Sequence, residues 1–252
     1  MTLRSMVVMA VSVCATSAAA RPARAQQQPE WRILDNSFLV EEAFNQERGV
    51  FQNIFTWVRT GSGEWIGTFT QEWPVPGIRH QLSYTIPFSR QDQIDAFNDG
   101  LINYRYQVME GESGSLAIAP RLSLSLPTGD AAEGFGAGKA GLQWNVPASK
   151  QFGNLYVHAN VGMAWVPDVQ KTTILAASGI WQTRPMFHLM LEAVGAIDQT
   201  FTLSPGFRGG WGDEHQVVVG LALPITWTSG VGGASKALLT YFSYELPFRK
   251  LH

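Results

Sequence analysis

Between Ser115 and Trp165 the chain alternates apolar with small or polar residues for longer than a soluble strand does. Leu116, Ile118, Pro120, Leu122, Leu124 and Leu126 fall on one side of an extended strand, with Ser115, Ala117, Ala119, Arg121, Ser123 and Ser125 on the other. The period of two lasts about 12 residues, against roughly 5–6 in a typical strand. Two further runs follow. Ala140, Leu142, Trp144 and Val146 oppose Gly141, Gln143 and Asn145; Leu155, Val157, Ala159, Val161, Met163 and Trp165 oppose Tyr156, His158, Asn160 and Gly162. A strand that crosses a bilayer needs this pattern: lipid demands an apolar side, a lumen admits a polar one, and about 9–11 tilted residues make the crossing. The competing reading is a secreted β-sandwich, which composition alone does not separate from a barrel.

Strand signals recur on both sides of this stretch. Upstream they cover 50–59, 65–73, 78–86 and 101–108; downstream they cover 172–182, 186–194, 201–211, 216–225 and 237–248. The fold class predicted is all-β, an antiparallel transmembrane barrel of about 12 strands (10–14 by this count), an even number as bacterial barrels have. With both termini on the periplasmic side, the inner turns are short (74–77, 110–114, 147–153, 183–185, 212–214). Three outer loops are longer (88–100, 127–139, 226–236), though two others, 167–171 and 196–199, are short. Tryptophans at 57, 65, 73, 144, 165, 181, 211 and 227 fall near strand ends, where amphipathic rings form interfacial girdles.

The ends of the chain carry processing signals. Arg4, the apolar run 6–20 and the Ala23-Arg24-Ala25 triplet read as a signal peptide over residues 1–25, so export to the outer membrane through the periplasm is expected. The single cysteine, Cys14, lies inside it, so the mature chain has no thiol for a disulfide, a zinc site or a nucleophile. Residues 26–48 form a polar leader, 49–248 the barrel and 249–252 a tail. The stretch 38–48 fits a short helix, an irregular plug or a partial first strand. Barrels usually finish on an aromatic residue that the assembly machinery reads; here Arg249-Lys250-Leu251-His252 follows Phe248. A net charge of −2 gives no support for nucleic-acid binding. The partners expected are outer-membrane lipid, the barrel-assembly machinery and a small-molecule solute.

Several blocks resemble one outer-membrane family. EEAFNQERGVFQNIFTWVR (41–59), FTQEWPVPGIRHQLSYTIPF (69–88), INYRYQV (102–108), AIAPRLSLSLPTGD (117–130), AGLQWNVPASK (140–150), LSPGFRGG (203–210) and GLALPI (220–225) are similar to the family labelled "MetA-pathway of phenol degradation". The resemblance runs from about Phe38 to Phe248. It implies a β-barrel with a transport role for hydrophobic or aromatic compounds, and it carries no catalytic or binding-residue pattern to transfer.

The candidate functional residues are polar groups that the period turns inward: Glu72, Arg79, Arg105, Arg121, His158, His188, Glu192, Arg208 and Glu245. An arginine facing lipid at mid-membrane costs roughly 2–4 kcal/mol, so such residues belong in a lumen. They either line a selective constriction or form a salt-bridged network that holds a narrow barrel together; about 16 strands are needed for a wide aqueous channel. Glu41, Glu42, Glu47 and Arg48 of the leader either plug the lumen or form a solvated periplasmic face. The run 136–141 matches G-x-G-x-x-G but leads into a strand, not a helix, which argues against a nucleotide site. Neither paired metal-ligand spacing nor a G-x-S-x-G elbow is present, so neither a metal, a cofactor nor a catalytic residue is expected. The function predicted is an outer-membrane channel or passive transporter. The alternatives are a lipid-modifying enzyme, with outward-facing His80 as its base, and a sealed structural barrel.

Overall fold

The computed structural model describes residues 33, 35–111, 114–212 and 215–248; the expected signal peptide and the tail 249–252 lie outside them. The strands are β1 (Val50–Thr60), β2 (Trp65–Trp73), β3 (His80–Gln91), β4 (Ile94–Phe97), β5 (Gly100–Tyr106), β6 (Met109–Glu110), β7 (Ala117–Ile118) and β8 (Arg121–Leu126). They continue as β9 (Gly141–Phe152), β10 (Leu155–Val166), β11 (Gln170–Arg184), β12 (Phe187–Ala196), β13 (Thr200–Trp211), β14 (Val217–Ala222), β15 (Ile225–Thr228) and β16 (Ser235–Pro247). Three staves are interrupted: β4, β5 and β6 follow one line, β7 and β8 another, β14 and β15 a third. The result is a closed antiparallel barrel of 12 staves. Closure is the pairing of β1 with β16, in register from Val50–Pro247 to Thr60–Ala237, which leaves no sheet edge open there.

Burial along the staves is inverted relative to a soluble protein. Ile102 is 50% exposed and Asn103 2%; Leu122 is 55% exposed and Ser123 1%; Leu191 is 50% exposed and Glu192 0%. A sandwich would bury the leucines and solvate the serine and the glutamate. Only a lipid solvent outside and a hydrogen-bonded interior make this arrangement favourable, because unpaired polar groups in hydrocarbon cost several kcal/mol each. Tryptophans mark both rims of the apolar band. Trp57 and Trp65 stack at 4.3 Å near one end, with Trp165 and Trp227 at the same end; Trp73, Trp181 and Trp211 lie at the other.

Some strands are longer than the hydrophobic pattern indicates, while the expected runs 101–108, 115–126 and 216–225 are each broken. Residues 88–100, expected as an outer loop, are mostly hairpin: β3 runs on to Gln91 and β4 pairs back on it. Asp92 and Gln93 both take positive φ, 48° and 67°, as a two-residue turn matched to strand twist requires. Residues 147–153, expected as a turn, are strand up to Phe152, and the turn is only 153–154. Polar residues hid both extensions, since strands that project beyond the lipid lose their apolar face. The connection 127–140 remains a long one, at the end away from Val50. Two of its glycines, Gly129 and Gly136, serve packing, and two, Gly134 and Gly138, take positive φ. Asp99 accepts from the amides of Gly129 (3.0 Å) and Ala137 (2.7 Å), and a Cβ on Gly136 would sit 2.5 Å from Asp99 Oδ1. The G-x-G-x-x-G run is thus a loop anchored on an aspartate, and Gly141 opens β9 instead of a helix.

Candidate functional site: a strap across the lumen

Residues 35–49 cross the inside of the barrel as an irregular strap, with Ile33 just ahead of it, and feed directly into β1. The strap contributes no strand to the sheet. Most of its buried backbone groups are instead met by inward-facing side chains of the wall, and a few by its own side chains, as buried amides and carbonyls must be. Asp35 is 1% exposed. Its Oδ1 accepts from Gln52 Nε2 (2.9 Å) and Tyr241 Oη (2.6 Å), and its Oδ2 accepts from Ser243 Oγ. Arg208 on β13 donates from Nη1 to the carbonyls of Asp35 (2.7 Å) and Asn36 (2.8 Å). Ser37 and Ser178 share a hydroxyl hydrogen bond of 2.8 Å. Glu192 on β12 accepts from the amides of Leu39 (2.8 Å) and Val40 (3.1 Å) through one oxygen.

Further along, Asn160 grips Glu41 by its amide (2.9 Å) and its carbonyl (2.8 Å). Ser149 Oγ accepts from Ala43 N at 2.7 Å and is itself bonded to His158 Nδ1 at 2.6 Å. Gln107 and Gln81 accept from the amides of Asn45 (2.9 Å) and Gln46 (2.7 Å). Arg105 donates to the carbonyls of Glu42 (3.2 Å) and Phe44 and to Asn45 Oδ1 (3.0 Å). Apolar contacts finish the fit. Phe38 lies 4.9 Å from the Tyr241 ring and joins Ile33, Ile54, Ile180, Met190 and Leu239 in one buried cluster. The wall is thinned to receive it: a Cβ on Gly220 would stand 2.1 Å from Phe38 Cζ, and one on Gly210 2.8 Å from Ile33 Cγ1.

Among the described residues, two cavities border the strap. One, of about 350 Å³, is walled by Thr56, Thr68, Thr70, Thr85, Glu72 and Arg105 and floored by Phe38, Leu39 and Glu41. The other, of about 180 Å³, lies against Gln143, Asn145 and Asn160. Glu41 and Arg121 line both, and their ion pair, Oε1 to Nη2 at 2.7 Å, stands between them.

The residues singled out from the sequence separate into two groups. Glu72, Arg105, Arg121, His158, His188, Glu192, Arg208 and Glu245 line the inside of the wall. Most bind the strap directly; His188 accepts from Arg208 Nε at 3.3 Å, Glu72 accepts from Gln81, and Glu245 accepts from Gln46 Nε2 at 3.2 Å. Arg79 does not belong with them: it sits in the turn before β3, half exposed, paired with Glu110 at 2.6 Å. The alternation was extended two residues past the strand's start. Glu41 and Glu42 lie within the lumen, whereas Glu47 and Arg48 are exposed at the turn into β1. His80 does lie on the outer face, with its Nδ1 bonded to Tyr104 Oη at 2.7 Å. Asp35, within the polar leader, and the amides Gln52, Gln81, Gln107 and Asn160 also hold the strap and are not among the candidates singled out from the sequence. For the four amides, inward parity was the available signal.

No protein-family model matches the chain, and no curated protein does either. Solved structures do. The COG4313 outer membrane channel from Pseudomonas putida F1 superposes with a TM-score of 0.61 at 12% identity, covering 81% of this chain and 97% of that one. The KdgM porin superposes with a TM-score of 0.55 at 9% identity, covering 79% and 99%. The same porin has been solved in complex with disordered oligogalacturonate, at a TM-score of 0.54 and 10% identity. The fold is that of outer-membrane channels. At these identities the likeness speaks for the fold and leaves the solute open.

Proposed function

We propose that this chain is an outer-membrane channel for small solutes, exported by its signal peptide, whose lumen is closed from the periplasmic side by the strap 35–49 and opens when the strap is displaced. The observation that carries the reading is how the strap is held. Side-chain hydrogen bonds, the Glu41–Arg121 ion pair and two apolar clusters bind it, and ladder-like backbone bonding is confined to Gly49 at its end, so it can leave without breaking a stave. Water entering behind it can satisfy the same wall groups, which keeps the cost of opening far below that of unfolding.

A second reading concerns the cargo. The resemblance to the phenol-degradation family favours aromatic or hydrophobic compounds, and the polar lumen does not. An apolar pocket of about 480 Å³ among Tyr84, Ile86, Phe97, Ile102 and Leu126 offers such compounds a place on the outer wall. Thr85 borders both this pocket and the larger lumen cavity.

A reversible lock tests the channel. With Ser37→Cys and Ser178→Cys, whose hydroxyls are 2.8 Å apart, oxidation should pin the strap to β11. Liposomes carrying the oxidised protein should stay closed to small solutes, and reduction should restore swelling. Equal swelling in both redox states would remove the strap from the mechanism; no swelling in either would favour a sealed structural barrel.

A further inference from the structure

Arg105 and Arg121 are directly opposed across the β5–β8 pair. Like charges at such positions, with Cβ atoms about 4.5–5.5 Å apart, destabilise a sheet unless something lies between or over them. Here the strap covers them. Arg105 spends its donors on the carbonyls of Glu42 and Phe44 and on Asn45 and Gln81. Arg121 is held by the carboxylate of Glu41. That pair is the only ion pair joining strap to wall among the described residues. It is also reachable, with the two side chains about a quarter exposed (25% and 22%) between the two cavities.

We propose that the Arg105–Arg121 pair is the binding site for the carboxylate of a small anionic solute, and that Glu41 occupies it as an internal stand-in while the strap is closed. Arg121 is fixed on the wall and Glu41 rides on the strap. A solute carboxylate that takes Arg121 therefore stays at the constriction, and the side chain it displaces leaves with the moving part. Displacing the strap frees Arg105 as well. The charged wall groups around the larger cavity are then two guanidiniums and one carboxylate, Glu72, which stays hydrogen-bonded to Gln81 Nε2 at 2.8 Å. A planar guanidinium receives a carboxylate through paired N–H donors, so the exchange replaces one ion pair with another of the same kind. This inference rests on the channel reading and names the class of solute that such a channel would select.

The test is benzoate binding to the full chain refolded in detergent micelles, read by isothermal titration, beside acetate and toluene. Glu41→Gln frees Arg121 and should tighten benzoate about tenfold. Arg121→Gln should abolish binding, and Arg121→Lys should recover part of it. Acetate should compete with benzoate and toluene should not. Heat-modifiable gel mobility establishes that each variant is folded; if Arg121→Gln fails to fold, Arg121→Lys against Glu41→Gln carries the comparison. Toluene binding as tightly as benzoate, or Glu41→Gln binding no tighter than the unaltered chain, would overturn the assignment. Micelles require no passage, so the two claims separate. Binding without benzoate flux in liposomes keeps the site and removes the channel. Flux that is indifferent to Glu41 and Arg121 keeps the channel and removes the site.

Discussion

Replacing Asp35 by alanine removes the contact that anchors the start of the strap. Three wall donors lose their acceptor: Gln52 Nε2, Tyr241 Oη and Ser243 Oγ. A hydrogen bond is worth about 1 kcal/mol net once water competes for both partners, so three come to about 3 kcal/mol. The closed state bears this loss alone, because in the open state the same donors already face water. An energy gap of about 3 kcal/mol is roughly a hundredfold in the ratio of open to closed channels. The barrel itself should be unaffected, since the β1–β16 seam is made by backbone pairs. In planar bilayers, Asp35→Ala should raise the open fraction about a hundredfold, up to saturation, at unchanged unitary conductance. Asp35→Asn, which keeps one acceptor oxygen, should fall between the two. An open fraction within threefold of the unaltered protein, in a barrel shown to be folded, would refute the claim that these bonds set closure.

Two other outcomes follow from packing. Gly220→Val places carbon where Phe38 lies, 2.1 Å from its Cζ, and should expel the strap's aromatic anchor; limited proteolysis should then cut between Phe38 and Arg48 faster than in the unaltered protein. Leu191→Arg, midway along β12 on the outer face, should cost about 2–4 kcal/mol of stability in urea titrations from lipid vesicles, because it buries a cation in hydrocarbon.

Much of the barrel was readable because lipid makes the alternation strict. Leu122 beside Ser123 and Leu191 beside Glu192 have one arrangement that satisfies both neighbours, and period two reveals it. Strand ends were less readable. Beyond the lipid the outward side is no longer selected for apolarity, so 88–100 looked like a loop although it is hairpin, and Arg79 looked inward although it lies in a turn. The strap was legible only in halves. Its wall partners announced themselves as polar residues of inward parity. The strap's own sequence has no period, because its amides are met by side chains from several staves and not by the ladder of a neighbouring strand. Asp35 consequently read as one more residue of a polar leader, although its carboxylate is bonded by three wall residues. Gly220 has inward parity on β14, and only the position of Phe38 explains why it is small.

The most direct measurement is the single-channel conductance of the refolded mature protein beside a version lacking residues 26–48, with folding of both established by heat-modifiable mobility. A strap-gated channel predicts rare openings in the first and sustained open steps in the second. A folded, strapless barrel that stays silent would contradict it.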